Sequence, residues 1–542
     1  MNKTLTTVSI TSSMEPTAIS AAEELSKYLQ KKGVAIKEDG FAISIVVDNS
    51  VAQDSYQIEV TETGMTVTGD ANGVLYGVYN FLEKYAGIRF FTPTLEICPK
   101  GEITLPLGVI LSHDPAMKAR RLTWHCIASS PEWCVKHGIN FGVNIPAELG
   151  GQRLNYGKLF VHTINILAET IYPYPAYGTN PCVTDPEVLE KVIKNVRKAL
   201  EENPAINILS VSQNDFEGWC HCPNCRKIEE EEGSPAGPLL RFVNAIAENL
   251  EKDYPNVIVD TLAYKYTQTT PKITKPHKNV CIRLCSINCC FTHPLENKDC
   301  PRSQKFYNDI VNWGKICDKL HIWDYTTNFH YYISTFPNFG VLHKNMKFFA
   351  ENNVVSMFPQ GNGQGVSGEF GELRAYLLAK LMWDPYMEEE TYYRHMDEFL
   401  AAYYGEGWQN IRNFIDKTTE LAANGGFRVN KADESLGAPV CGQGIYDHPF
   451  TVITRDEYLE HEALFEKWWN TAASLAGDRR EFVERSMMQW RLTKLYLHPN
   501  AEEAQKLIDD AKAAGVVWKE GQYNVQAESD LSKSPCFWKY GK

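Results

Sequence analysis

The fold is decided by the stretch Ile206-Asn-Ile-Leu-Ser-Val211, which is followed directly by Ser212-Gln-Asn-Asp-Phe-Glu-Gly-Trp-Cys-His-Cys-Pro-Asn-Cys225. The first six residues form a short apolar run, and such a run predicts a buried strand. Two carboxylates, Asp215 and Glu217, come just after it and are flanked by Phe216 and Trp219. Acids, amides and aromatic rings at the carboxyl end of a strand are typical of sites that bind and cleave sugars.

Strand candidates of this kind alternate with helical stretches through the middle of the chain. Eight such strands with helices between them predict a (β/α)8 TIM-type barrel, in which the chemistry lies on the loops after the strands. The eight predicted strands are Arg120–Trp124, Ile139–Val143, Lys158–His162, Ile206–Val211, Val257–Leu262, Val280–Leu284, Leu320–Trp323 and Val354–Phe358.

The flanking regions have different patterns. Residues 1–112 combine alternating strand patterns with two amphipathic helices, which predicts a small N-terminal α/β domain. Residues 113–385 would form the catalytic barrel, and residues 386–542 show helical spacing almost throughout, which predicts a C-terminal helical domain. The sequence therefore predicts an α/β protein of three domains, in keeping with its 542 residues.

Composition excludes several classes of partner. The net charge is −13, from 54 basic and 67 acidic residues, and no basic stripe is present. We therefore expect a carbohydrate substrate rather than nucleic acid or a membrane. The sequence shows no run of 18 apolar residues and no apolar leader, so we expect a cytoplasmic protein, or an exported one whose leader is missing from this sequence. Composition gives no indication of the oligomeric state.

Three carboxylates are candidates for catalysis. Asp215 and Glu217 lie two residues apart, and on an extended segment they would face the same way. Glycosidases generally use two carboxyl groups, one of which donates a proton. Glu369 is the third candidate, because it follows the last predicted strand in a glycine-rich segment; Glu372 is better explained as a residue that favours a helix N-terminus. The alternative for Asp215 and Glu217 is a loop with two solvated acids.

Polar and aromatic residues near the other predicted strand ends are candidates for holding a sugar. An aromatic ring can stack on a sugar ring while amides and hydroxyls bind its hydroxyl groups. Trp323 also fits the core of the barrel, and a lone histidine at a strand end is more often structural. The predicted substrate-binding residues are Asn214, His162, Tyr264, Trp323, Tyr325 and Gln360.

Cys220, Cys222 and Cys225 follow the acids at metal-ligand spacing. A closed zinc site needs a fourth ligand, for which Cys285, Cys289, Cys290 and His221 are the candidates. Free thiols or a disulfide are the alternatives. We expect no catalytic cofactor, and a structural zinc ion is the one cofactor that this pattern leaves open.

Several motifs, taken in order, resemble a known family. They are Gly73-Val-Leu-Tyr-Gly-Val-Tyr-Asn-Phe-Leu-Glu-Lys-Tyr-Ala-Gly-Ile-Arg-Phe-Phe-Thr-Pro93, Gln213-Asn-Asp with the cysteines after it, Trp323-Asp-Tyr, and Gly368-Glu-Phe-Gly-Glu-Leu-Arg. Together they resemble the bacterial glycoside hydrolase family 163, formerly a domain of unknown function numbered 4838. The resemblance covers most of residues 60 to 405.

The resemblance implies an endo-β-N-acetylglucosaminidase that acts on N-glycans by a retaining, substrate-assisted route. One carboxylate would orient the substrate acetamide and another would serve as general acid and base. Two alternatives stay open. One is an inverting hydrolase similar to α-glucuronidases, which also combine a small α/β domain with a barrel, and the other is a noncatalytic glycan-binding protein.

Overall fold

A computed structural model describes residues 2–170, 180–425 and 442–521. The N-terminal region is built on a six-stranded mixed sheet with the order β10-β5-β6-β4-β2-β3, against which two helices, α1 and α2, pack side by side. Its elements are β1 (Asn2–Thr4), β2 (Thr7–Ser12), α1 (Pro16–Lys31), β3 (Ala35–Ile36), β4 (Phe41–Val47), β5 (Tyr56–Val60), β6 (Gly64–Gly69), α2 (Gly73–Lys84), β7 (Arg89–Thr92), β8 (Leu95–Ile97), β9 (Thr104–Pro106) and β10 (Gly108–His113).

The central region contains a second six-stranded sheet, and all of its strands are parallel. The strand order in this curled sheet is β11-β16-β15-β14-β13-β12. Because the strands are parallel, their carboxyl ends all lie at the same edge. Its elements are β11 (Ala119–Arg120), α3 (Pro131–Lys136), α4 (Ile164–Leu167), α5 (Pro186–Glu202), β12 (Ile208–Ser210), α6 (Pro223–Glu232), α7 (Ala236–Glu251), β13 (Ile258–Ala263), β14 (Val280–Cys285), α8 (Pro301–Gly314), β15 (Leu320–Tyr325), α9 (Phe339–Glu351), β16 (Val354–Gln360) and α10 (Gly371–Trp383).

Two of the eight predicted strands do not form. Residues 139–143 and 158–162 contain no strand, so a complete (β/α)8 barrel is not confirmed. Glycine explains the first case, because Gly138 and Gly142 have φ values of 72° and 91°, and a Cβ on Gly142 would lie 2.5 Å from the side chain of Arg121. His162, with φ of 55°, ends the second segment in a left-handed turn.

The irregular chain between β11 and β12 still forms hydrogen bonds with both strands. Asn140 N donates to Arg120 O at 3.1 Å, and Ser210 N donates to Leu159 O at 2.9 Å. Tyr156, from the same stretch, donates its hydroxyl to Asp260 on β13 at 3.2 Å, and Asp260 also pairs with Arg283 on β14. These contacts bring the segment across the gap between the two edge strands of the curled sheet.

The rest of the described chain is helical, in agreement with the helical spacing of the sequence. Its elements are α11 (Glu389–Tyr404), α12 (Trp408–Gly425), α13 (Arg455–Leu475), α14 (Arg480–Ser486), α15 (Met488–Leu497) and α16 (Ala501–Ala513). After α16 the chain returns to the central sheet, where Tyr332 N donates to Trp518 O and Glu520 N donates to Phe329 O, both at 2.8 Å. This return places the end of the described chain at the strand-end edge.

Buried ion pairs join the N-terminal region to the centre. Arg120 on β11 donates to Asp54 at 2.8 Å, and both side chains are fully buried. Lys380 on α10 pairs with Glu83 on α2 at 2.6 Å. The division into residues 1–112, 113–385 and 386–542 stays a prediction, and its last residues, 522–542, lie outside the described chain. Among the described helices, none has both the length and the apolar character needed to span a bilayer.

Candidate active site

The carboxyl ends of the parallel strands surround a cavity of about 300 Å³. Its walls combine aromatic rings with a cation, an amide and an acid, which is the mixture that small-molecule sites generally show. The residues that define it best are Arg121, Phe160, Trp323, Phe358, Gln360 and Glu520. The cavity therefore lies where the fold predicts that chemistry takes place.

Asp215 lies in the loop after β12 and is held by two donors from the next strand end. Its Oδ1 accepts from the hydroxyl of Tyr264 at 2.9 Å and lies 3.1 Å from the ammonium group of Lys265. Burial alone would raise the pKa of Asp215, but the hydrogen bonds from Tyr264 and Lys265 and the charges of Lys265 and His162 outweigh it, so the pKa is lowered. Asp215 is therefore an ionised acceptor at neutral pH.

Glu217 is turned toward solvent. Its side chain is 76% exposed, and its carboxylate lies 3.8 Å from the ammonium group of Lys265. Asp215 and Glu217 thus both lie near the same lysine, on a bend of the chain rather than on the extended segment for which their spacing was considered. No apolar wall encloses Glu217 among the described residues.

Asn180 and His162 hold the acid loop, which is the segment after β12 that contains Asp215 and Glu217. Asn214 N donates to Asn180 Oδ1, and Asn180 Nδ2 donates to Gly218 O, both at 2.8 Å. His162 Nδ1 donates to Gln213 O at 2.8 Å, so the predicted ligand-binding histidine is also a support of the loop. The side-chain Nδ2 of Asn214 is buried and has no hydrogen-bond partner among the described residues.

An aromatic wall stands on the neighbouring strand ends. Trp323 donates its indole N–H to Gln360 Oε1 at 2.8 Å, and its ring lies 4.9 Å from that of Phe358 and 6.3 Å from that of Tyr325. Trp323 and Gln360 line the cavity, whereas Tyr325 is buried and Tyr264 faces Asp215. The structure thus brings the predicted sugar-binding residues to one edge of the sheet.

Glu369 does not belong to this group. Its side chain is buried and forms an ion pair with Arg374, and its Oε2 accepts from Phe370 N at 2.6 Å at the start of α10. Burial raises the pKa of Glu369, against the opposing effect of Arg374. The prediction that Glu369 is a catalytic carboxylate does not fit this placement, because Phe370 N and Arg374 occupy both of its carboxylate oxygens.

Two charged residues of the cavity did not stand out in the sequence. Arg121 lies with its guanidinium over the rings of Phe160 and Phe358, at 4.5 and 4.2 Å from their centroids. Burial and the nearby charge of Arg283 lower the pKa of Arg121 to about 10. No acidic side chain of the described residues forms an ion pair with Arg121, although Glu520 lines the same cavity.

Glu520 reaches the cavity from the returning chain after α16. Its carboxylate accepts from the hydroxyl of Tyr446 at 3.5 Å. The side chain of Glu520 is exposed at the mouth of the cavity. Partial loss of solvent there is the main cause that raises the pKa of Glu520, and the negative charge of Asp215 raises it further. Glu520 lies within the predicted helical region, residues 386–542, and no motif there gave a reason to select it.

The predicted metal-ligating cysteines are close together, but their fourth neighbour is one that the sequence did not suggest. Cys182 Sγ lies 3.7 Å from Cys222 Sγ and 3.7 Å from Cys225 Sγ, and Cys220 completes the group. The four candidates from the sequence, Cys285, Cys289, Cys290 and His221, lie outside it.

A larger cleft of about 880 Å³ lies among α14, α15 and α16. Two of its charged side chains, Arg491 and Asp510, pair with each other at 2.6 Å. No tryptophan, tyrosine or phenylalanine side chain is among the described residues that line it, so it offers no stacking surface for a sugar ring. The smaller cavity at the strand ends is therefore the better candidate for chemistry.

The family model described as domain of unknown function DUF4838 matches residues 90–416. A search of curated proteins found no match. Among solved structures, similar chains include CpGH84B (12% identity, 96% of this chain and 95% of that one, TM-score 0.47), a GH138 enzyme targeting pectin rhamnogalacturonan II (14%, 95% and 94%, TM-score 0.46), and a chitobiase of Flavobacterium johnsoniae (11%, 94% and 94%, TM-score 0.44).

Proposed function

This chain belongs to the DUF4838 family, and from that premise we propose that it is a glycoside hydrolase whose active site is the cavity at the strand ends. We propose further that it cleaves β-linked N-acetylglucosamine in glycans by a retaining, substrate-assisted route, as the resemblance to glycoside hydrolase family 163 implies. The observation that supports this best is the placement of two carboxylates at the strand ends, where Asp215 accepts from Tyr264 at 2.9 Å and Glu520 lines the cavity. Their pKa values are shifted in opposite directions.

The opposite shifts suit the two roles that glycoside hydrolysis needs. Asp215, ionised and held by Tyr264 and Lys265, is fixed as an acceptor. It would receive a hydrogen bond from the N–H of the substrate acetamide, whose carbonyl oxygen then attacks the anomeric carbon. Glu520 keeps its proton to a higher pH than an ordinary glutamate and would donate it to the departing oxygen. Glu217, exposed beside Lys265, would act at the rim rather than as the proton donor.

The aromatic wall would position the sugar. Trp323 is fixed by its hydrogen bond to Gln360, so its ring needs little ordering when a ligand binds. An apolar sugar face against this ring would leave hydroxyl groups directed toward Gln360 and the amide of Asn214, whose Nδ2 is unpaired among the described residues. The arrangement therefore offers both a stacking surface and donors at fixed positions.

The test separates the two carboxylate roles. We expect Asp215→Asn to lower turnover about 10²-fold or more on every substrate, because the attacking acetamide loses its fixed partner. Glu520→Gln should lose a similar factor on a glycan but little on a dinitrophenyl glycoside, whose leaving group needs no proton. Glu460→Gln, on the exposed side of α13, is the matched control and should be neutral. If Asp215→Asn and Glu520→Gln both keep wild-type turnover, the active site lies elsewhere.

A uronide hydrolase is the second candidate, and Arg121 is the observation that favours it. An unpaired guanidinium in a sugar-sized cavity suits the carboxylate of a uronic acid, since arginine binds planar carboxylates with two parallel hydrogen bonds. Hydrolysis of aryl glucuronides and aryl N-acetyl-β-glucosaminides by the wild-type protein and Arg121→Gln distinguishes the two. A loss confined to glucuronides supports this second candidate, and turnover of N-acetylglucosaminides alone rejects it.

A further inference from the structure

Four cysteines from two separate segments converge beside the acid loop. Cys182 lies just before α5, whereas Cys220, Cys222 and Cys225 lie at the start of α6. Their sulfur atoms all lie within 4.8 Å of one another, and the two measured separations from Cys182 are both 3.7 Å. No disulfide joins them.

These separations match the geometry of a tetrahedral metal–thiolate centre. With Zn–S bonds of about 2.3 Å, the sulfur atoms of a tetrahedral site lie about 3.8 Å apart. A disulfide, by contrast, requires a sulfur–sulfur distance of about 2.05 Å. The sulfur of Cys182 is therefore more than about 1.5 Å too far from those of Cys222 and Cys225 to be bonded to either. Four sulfur ligands that close the coordination sphere are the set that structural zinc sites use.

The local backbone also supports thiolate ligation. Cys222 is the N-cap of α6, and its Sγ accepts from Cys225 N at 3.5 Å, so the helix N-terminus faces a sulfur. Backbone N–H groups directed at ligand sulfurs and the positive end of a helix both favour the deprotonated form that binds metal. The hydroxyl of Thr184 lies 3.3 Å from Cys225 Sγ and 3.6 Å from Cys222 Sγ, as a further donor to the cluster.

We infer that Cys182, Cys220, Cys222 and Cys225 bind one structural Zn²⁺ ion, with Cys182 as the ligand that closes the site. The metal joins the segment before α5 to the start of α6, and thereby fixes the α6 end of the loop that contains Asp215 and Glu217. Asn180, two residues before Cys182, already bridges this loop through Asn214 N and Gly218 O. The inference concerns metal binding and does not depend on the proposed glycosidase activity.

A second cluster must be separated from the first in any measurement. Cys290, His293 and Cys300 also lie with their ligand atoms within 4.8 Å of one another, in a buried part of the centre. Metal bound there would add to the total. The informative quantity is therefore the difference in zinc content between variants, rather than the zinc content of one protein.

The test is the zinc content of full-length protein purified under reducing conditions, measured by elemental mass spectrometry. We expect Cys182→Ser to contain one equivalent of zinc less than the wild type, and to unfold at a lower temperature. Cys134→Ser, which removes a buried thiol outside both clusters, should keep the wild-type zinc content. Equal zinc in Cys182→Ser and the wild type overturns the inference.

Cobalt substitution tests metal binding in the wild-type protein, so it does not require Cys182→Ser to fold. Wild-type protein reconstituted with Co²⁺ should show the strong visible bands of tetrahedral thiolate coordination, and Zn²⁺ should abolish them. Absence of these bands, or a mass shift showing a disulfide between Cys182 and any of the other three in freshly reduced and refolded protein, contradicts a zinc centre.

Discussion

Removing the hydroxyl of Tyr264 should weaken catalysis and shift its pH dependence. Tyr264 donates to Asp215 at 2.9 Å, and a hydrogen bond to a charged group contributes about 1.5–3 kcal/mol. The side chain of Asp215 is 61% exposed, so solvent screening reduces this to about 1 kcal/mol. Tyr264→Phe should therefore lower kcat/KM about fivefold at neutral pH. The remaining contact with Lys265 keeps the effect from being larger.

The direction of the pH effect follows from the pKa of Asp215. The hydrogen bond from Tyr264 helps to lower that pKa, so its loss raises it. Because the ionised form of Asp215 is the active one, activity is lost as pH falls through its pKa. The acidic limb of the kcat/KM profile should thus move to higher pH in Tyr264→Phe.

The assay is a full pH profile of kcat/KM on the substrate that the wild-type protein hydrolyses best. Tyr85→Phe is the matched control, because it removes a hydroxyl that donates to a carbonyl of the N-terminal region, Ile110 O, at 3.1 Å. Its profile should match the wild type. An acidic limb that stays in place in Tyr264→Phe would refute the assignment of Asp215 as the ionised group.

Three further predictions concern stability and binding. Arg120→Ala should lower the free energy of unfolding by about 3–5 kcal/mol in urea titrations, because Asp54 would stay buried without its partner; a change under about 1 kcal/mol would contradict this. Burial alone would raise the pKa of Glu232, but hydrogen bonds from Thr274, Ile273 and Arg241 outweigh it and hold that pKa at about 2. Glu232→Gln should therefore cost about 2–3 kcal/mol at pH 7. The ionised Glu232 stabilises the wild type above the unfolded-state pKa of a glutamate, about 4.3, and this stabilisation is lost as pH falls through the folded-state pKa. The free energies of unfolding of the wild type and Glu232→Gln should therefore converge in acid. Trp323→Ala should raise KM about tenfold, a difference of about 1.4 kcal/mol; an unchanged KM would place the sugar away from this ring.

Periodicity predicted most of the fold correctly because long elements leave a strong pattern. Residues 386–542 show helical spacing, and the helices α11 to α16 lie there, while the strands β13 to β16 lie where apolar runs occur. The two failures, at 139–143 and 158–162, have a common cause. Apolar composition there is that of a strand, but residues with positive φ interrupt the extended backbone, and tertiary contacts rather than a strand ladder occupy the gap.

The candidate site was predictable only where its residues follow a strand directly. Asp215, Tyr264, Trp323 and Gln360 satisfy that condition, because the fold brings strand ends together. Glu369 lies beyond the glycine-rich segment that follows β16, and its carboxylate turns inward to Arg374. Sequence alone does not show side-chain direction at the start of a helix.

The residues that the sequence analysis missed come from distant parts of the chain. Cys182 precedes Cys220 by a whole helix, and spacing rules detect ligands only within one short motif. Glu520 arrives with the chain after α16, which has no motif of its own. Both contacts depend on tertiary folding that local patterns do not specify.

The most direct test of the proposed active site is a crystal structure of the protein bound to N-acetylglucosamine-thiazoline, which mimics the intermediate of the substrate-assisted route. We expect its pyranose ring against Trp323 and its thiazoline nitrogen within hydrogen-bonding distance of the Asp215 carboxylate. A ligand bound in the cleft among α14, α15 and α16, or one at the strand ends with Asp215 directed only at solvent, would contradict the proposal.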